Sequence, residues 1–161
     1  MVIKPRGVPY EDLSAERLVV TDLEGKVVEG ELRPSSDLAT HLVLYKKFAT
    51  IGGVAHTYSE YATAWAQARQ SILCFGTTHA DDFHGPIPIT PELRESEISS
   101  DYEKITGEVI ARVFDAIDYA AVPGCSSPVT GRSLGGTDAI MAAEAAVVLD
   151  AGKNRISDDR D

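Results

Sequence analysis

The sequence predicts an α/β sandwich with an antiparallel or mixed sheet, and two observations carry that reading. Short β-branched runs alternate with helical patterns, and the runs near the N-terminus return on each other through a glycine turn. At the centre, residues 33–70 read as one unit of helix, glycine turn, strand and helix. Its polar residues gather at element ends, where sites tend to be built. A length of 161 residues with 43% hydrophobic content suits one globular domain with its own core. No internal repeat and no domain boundary stand out.

In order, Met1-Val2-Ile3 reads as a strand and Lys4-Pro5-Arg6-Gly7 as a turn. Residues 10–18 hold a single helical turn that Ser14 can cap. Residues 18–22 and 26–29 form a hairpin with Gly25 where φ needs to be positive. Pro34-Ser35-Ser36-Asp37 opens a helix with Leu38, Leu42, Tyr45 and Phe48 on one face, and Ile51-Gly52-Gly53 ends it. Residues 54–58 form a short buried strand that points His56 and Tyr58 to the same side. Ser59 caps a second helix through Trp65 and Ala68. Residues 71–75 are another strand, in which Cys74 is a buried thiol. Residues 76–88 form a long polar loop. Thr90-Pro91-Glu92 starts a helix. Ser100 and Glu103 form the capping box of the next one, whose apolar face is Ile105, Val109, Val113 and Ile117, with Ile110 and Phe114 beside it. Residues 119–122 are a strand stopped by Pro123-Gly124, residues 126–136 are a loop, and Thr137 caps an alanine-rich helix ending near Leu149. Residues 1–152 are thus expected to be a single domain and residues 153–161 a charged, disordered tail.

A net charge of −10, with no Lys/Arg cluster along the chain, excludes nucleic acid and anionic membrane as the expected partners. Two cysteines are too few for a disulfide framework. No signal peptide and no membrane-length apolar run are seen, so a cytoplasmic location is expected.

Ser35-Ser36-Asp37 offers free N–H groups, two hydroxyls and a carboxylate, which suits an anion. Plain N-capping by Ser36 is the competing reading. Arg6 can meet a phosphate as a cation. His56 is either a packed core residue or a metal ligand. Asp81 is either an acid/base group or, with Asp82, part of a solvated loop with Asx-turns. His41 and His84 read as surface or packing residues.

These stretches resemble the L-ribulose-5-phosphate 4-epimerases of the class II aldolase/adducin family. The matching residues are Pro34-Ser35-Ser36-Asp37, Ile51-Gly52-Gly53, His56-Thr57 with Ser59, Ala62-Thr63 with Trp65-Ala66-Gln67-Ala68, and Gly76-Thr77-Thr78-His79-Ala80-Asp81. Gly85-Pro86-Ile87-Pro88, Tyr102-Glu103 and Thr106-Gly107 also fit. The likeness runs from about Val2 to about Leu149 and is most specific between Arg33 and Gly107.

The resemblance implies a three-layer α/β/α sandwich with a mainly antiparallel central sheet. It assigns Ser35 and Ser36, with the turn at Arg6 and Gly7, to the phosphate of a sugar-phosphate substrate. It places Asp37 beside a divalent metal, Zn2+ or another, and makes His56 a ligand. Two imidazoles at i and i+2 of a strand can share one ion. Here Tyr58 occupies the second family histidine position. Counted on from Pro123-Gly124, Thr130 falls at the third, and no histidine follows His84. Asp81 becomes a proton donor or acceptor offered to the neighbouring subunit of a homo-tetramer. The implied activity is epimerisation of a pentulose phosphate in arabinose metabolism, by metal-assisted retro-aldol and aldol steps. A catalytically inactive fragment or pseudoenzyme and a class II sugar-phosphate aldolase are the alternatives. Family members also carry an earlier Gly-Asn segment and a late acid/base tyrosine without counterparts in these residues. An exposed sheet edge and self-association are expected from that.

Overall fold

The computed structural model describes residues 1–57, 59–99 and 101–128, and the backbone course of residues 131–136. The chain divides into two compact units: Met1–Ala49 with Glu95–Glu108, and Thr50–Arg94 with the chain from Val109 on. Each unit has a three-stranded antiparallel sheet.

In the first unit, β1 (Val2–Ile3) pairs with β2 (Val19–Thr21), and β2 with β3 (Val27–Glu29). The strand period of two puts Ile3, Val19 and Thr21 inside, while every residue of β3 is exposed, as befits an edge. The hairpin is the expected one. Asp22 Oδ1 accepts the N–H groups of Glu24 and Lys26 at 3.0 and 2.8 Å, and Gly25 takes φ +86°.

Residues 10–18 differ from the single turn expected. They form two 3-10 turns, Tyr10–Asp12 and Ala15–Arg17, separated by Leu13 in extended conformation. The Ser14 side chain caps neither. It hydrogen-bonds the Glu16 carboxylate, which together with the Glu16 backbone N–H holds that carboxyl below its ordinary pKa.

Helix α1 (Leu38–Lys47) forms where its pattern predicts, with Lys46 and Lys47 in the last turn, where cations suit the dipole. Its buried side is Thr40, Leu44 and the capping Phe48, not the expected Leu38, Leu42 and Tyr45, which are half-buried. The cause lies on α5 (Tyr102–Val113). A Cβ at Gly107 would stand 2.9 Å from both the Thr40 carbonyl and the Val43 Cβ, so only glycine allows this approach. Thr40 Oγ1 then donates to the Glu103 carbonyl at 2.6 Å, which makes a polar residue the buried one. Leu38 and Leu42 instead lie over Gly25 of the hairpin. The helix ends at Phe48 in extended conformation, and Gly53 belongs to the next strand, so the glycine pair is not its cap. The helix expected at Thr90 starts only at Glu95, as α4 (Glu95–Ile98), and the Thr90 N–H instead donates to the Ser126 carbonyl at 2.8 Å. α5 ends at Val113, one turn earlier than expected. Ser100, the cap residue expected for it, lies outside the described residues.

In the second unit, β4 (Gly53–Thr57) and β5 (Gly124–Ser127) flank β6 (Gly131–Gly136), so the last strand lies between two earlier ones. This overturns two expectations. Residues 119–122 are turn, and the stretch read as a loop, 126–136, supplies the end of β5 and all of β6. All four residues of β5 are buried, and their small side chains let helix α2 (Glu60–Gln67) pack closely on them. Ser59 Oγ accepts the Ala62 N–H at 3.4 Å, as the sequence predicts, and Ala62 and Ala66 form the buried side of α2.

Only Ile72 of the strand expected at 71–75 pairs, in an isolated bridge with Ile87. Leu73, Cys74 and Phe75 are exposed, so the buried thiol is Cys125 and not Cys74. The polar loop contains helix α3 (Thr77–Asp82), which delivers Phe83 into a core with Ile87 and Val122, against Ala55, Ile72 and Ile117. Burial of side chains as large as Phe83 and Ile87 stabilises by about 1.5–3 kcal/mol each. Among the described residues no helix is long and apolar enough to cross a membrane. Tyr58, Thr130, the helix expected from Thr137 and the tail at 153–161 lie outside the described residues.

Candidate functional site

In the first unit Pro5 and Pro34 face each other in an isolated antiparallel bridge. Proline has no N–H, so the flanking residues must supply the bonds. Arg6 N–H donates to the Arg33 carbonyl at 2.9 Å, and Ser35 N–H to the Lys4 carbonyl at 3.0 Å. These two bonds lock the turn at 4–7 against the start of α1. Lys4 Nζ adds donations to the Val8 carbonyl and, at 3.3 Å, to the Pro5 carbonyl. It also sits 5.1 Å from the centre of the Tyr10 ring. Its charge is spent on stiffening the turn, and Gly7 follows at φ +74°.

Ser35 Oγ accepts the Asp37 N–H at 3.2 Å, and the Leu38 N–H reaches the Ser35 carbonyl at 3.2 Å. Asp37 is the N-cap by backbone position, without a capping side-chain bond. Ser36 therefore does not cap the helix. It is exposed, and its hydroxyl has no partner among the described residues. Arg6, Gly7, Ser35, Ser36 and Asp37, all named from the sequence, share this one paired loop. A guanidinium, a free hydroxyl and the N–H groups of a helix start can together hold an anion. Sequence reasoning passed over Arg33. The signal was present as a mirror: Pro5-Arg6 stands opposite Arg33-Pro34. An open cleft of about 740 Å³ in the same unit lies over Val2, Leu18, Val20, Glu29 and Leu32, and none of the named residues lines it.

In the second unit, His56 lies half-buried on β4 with Nδ1 buried, opposite Ser133 in the β6 register. Asp81 is exposed on α3. His79 closes its own loop: Nε2 meets the Gly85 carbonyl at 2.9 Å, and its ring lies 5.4 Å from that of Phe83. His84 is exposed.

The divalent metal implied by the resemblance does not fit this donor set. A catalytic zinc site typically has three protein ligands and an open position. Tyr58 and Thr130, which the resemblance sets against family histidines, are a phenol, with an ordinary pKa of about 10, and an alcohol. On β6, Arg132, Ser133 and Leu134 pair with Thr57, His56 and Ala55, so the neighbouring strand brings no imidazole. Among the described residues no three His, Cys, Asp or Glu side chains gather to hold an ion.

The antiparallel sheets interleaved with helices are those of the class II aldolases. Superposition on an L-fuculose 1-phosphate aldolase gives a TM-score of 0.72 at 21% identity, covering 95% of this chain and 70% of that one. A putative aldolase/epimerase/decarboxylase from Escherichia coli, YgbL, gives 0.70 at 22% identity, covering 98% and 73%. Residues 1–152 match the model of the class II aldolase and adducin N-terminal domain, and the chain belongs to that family. It is also 48% identical over 150 residues to the L-ribulose-5-phosphate 4-epimerase UlaF of Salmonella paratyphi B. That match covers 93% of this chain and 66% of the relative, so the chain spans less than two thirds of the length of that protein.

Proposed function

We propose that this chain is L-ribulose-5-phosphate 4-epimerase-like and takes a pentulose phosphate, with the phosphate seated on the paired loop of Arg6, Gly7, Ser35 and Ser36. One observation carries the reading. The two proline-flanking backbone bonds hold the turn at 4–7 on the start of α1, where the unpartnered hydroxyl of Ser36 and the exposed guanidinium of Arg6 are available to an anion. The likeness to the UlaF epimerase supports the substrate class. The retro-aldol and aldol steps implied by the resemblance break and re-form the C3–C4 bond, and they need groups that take the proton of the C4 hydroxyl and return one to the aldehyde oxygen. Asp81, exposed on α3, is the carboxylate proposed for one of these roles. Asp37 at the start of α1 and His56 on β4 are proposed as metal-site residues on the family resemblance alone. The three-layer α/β/α sandwich, a homo-tetramer and a cytoplasmic location belong to the same proposal. They are supported by the antiparallel pairing of each sheet and by family membership.

A second reading is favoured by Tyr58 and Thr130 standing in family histidine positions. On this reading the chain binds the sugar phosphate and turns it over orders of magnitude more slowly than its relatives, or not at all. Calorimetry with L-ribulose 5-phosphate and with the unphosphorylated ketose, followed by an epimerase assay, tests both. Binding that needs the phosphate, with turnover, supports the first reading, and the same binding without turnover supports the second. Equal affinity for the two sugars would sink the phosphate seat. A Tyr58→His, Thr130→His variant is expected to gain stoichiometric zinc binding that the parent lacks.

A further inference from the structure

The bridge between Pro5 and Pro34 has a consequence for charge. Strand side chains alternate, so the residues flanking the two prolines share the face opposite them. Pro5 is fully buried, Lys4 half-buried and Arg6 exposed, and the two bonds beside the bridge set the main chain of Arg33 across from that of Arg6 and Ser35 across from Lys4. Arg6 and Arg33 are both exposed, and among the described residues neither has an ion-pair partner. Like charges directly opposite one another on paired strands are destabilising. In a chain of net charge −10, with 25 carboxylates available, an arginine pair without a carboxylate is an uneconomical arrangement for stability alone. Lys4 does not relieve it, since its ammonium is engaged with the Val8 and Pro5 carbonyls.

We infer that Arg33 is a substrate-binding residue that completes, with Arg6, a two-guanidinium seat for the dianionic phosphate of the sugar. The inference rests on the phosphate seat proposed above and adds to it the residue that sets its charge selectivity. Two planar guanidiniums each offer parallel N–H groups to phosphate oxygens, and the anion cancels the repulsion between them. The two backbone bonds and the Lys4 clip fix the main chain from which both arginines extend before the ligand arrives.

The test uses the full chain with inorganic phosphate and L-ribulose 5-phosphate as probes, in calorimetry and in thermal melting at low salt. Without anion, Arg33→Gln is expected to melt about 1–3 °C above the parent, because the like-charge pair is gone. The same variant is expected to bind both probes about tenfold or more weakly. Arg33→Lys keeps the charge but not the fork, and is expected to bind between parent and Arg33→Gln. A purely structural Arg33 would do the opposite, with melting lowered and affinity unmoved. If Arg33→Gln binds as the parent does while Arg6→Gln and Ser36→Ala lose affinity, the inference about Arg33 is overturned and the phosphate seat stands. If the parent binds neither probe, both are overturned together.

Discussion

Two stretches carry the candidate residues, and they are held in place by different balances of main-chain bonding and burial. The loop pairing residues 4–7 with 33–37 rests chiefly on main-chain hydrogen bonds and leaves Arg6, Gly7, Arg33 and Ser36 exposed. Residues 77–88 add large buried side chains to their main-chain bonds at His84 and Ile87: Phe83 is 1% exposed and Ile87 fully buried, while Asp81 and His84 face solvent. A backbone-held site tolerates changes of side chain, since the bonds that shape it belong to the main chain. A burial-held site keeps its functional groups only as long as its core anchors remain.

The sharpest way to break the comparison is Phe83→Ala. It empties the centre of the second unit's core and is expected to cost about 3–5 kcal/mol in urea denaturation. Loss of under about 1 kcal/mol would mean that α3 is held by something other than this ring. The counterpart for the backbone-held loop is Gly107→Ala, which acts on the α1 that the loop leads into. Its new methyl meets the Thr40 backbone, and overpacking of about 1–3 kcal/mol is expected by thermal melting.

Two serines sharpen the comparison further. Ser59→Ala removes a cap and is expected to cost about 1 kcal/mol. Ser36→Ala removes no cap and is expected to change stability by less than about 0.5 kcal/mol while weakening phosphate binding. Equal destabilisation of the two variants would return Ser36 to the role of a cap. The smallest effect is electrostatic. Ser14→Ala removes the main hydrogen bond that lowers the Glu16 pKa, so an NMR titration is expected to move that carboxyl back up toward its ordinary value. A depressed carboxyl favours the fold above its unfolded pKa and loses that contribution as pH falls through its folded pKa. The variant should therefore differ from the parent only on the acid side.

The sequence by itself determined what depends on near neighbours. The Asp22–Gly25 turn makes the first hairpin, the Ser59 hydroxyl starts α2, and the periodicity of residues 38–47 and 102–113 makes two helices. It also placed Ser35, Ser36 and Asp37 at a helix start, while the resemblance, and no local pattern, joined Arg6 to them as candidates. Tertiary structure decided the rest. Gly124–Ser127 and Gly131–Gly136 have the composition of loops, and become strands because β4, some eighty residues away, supplies the ladder for β6. The polar run after Phe75 becomes helix α3 because Phe83 and Ile87 find a core made by residues from 55 to 122. Which cysteine is buried and which face of α1 is covered follow from the same cause. Caps and turns are written in the few residues that form them, whereas burial is set by whatever distant segment arrives, as Gly107 does at Thr40.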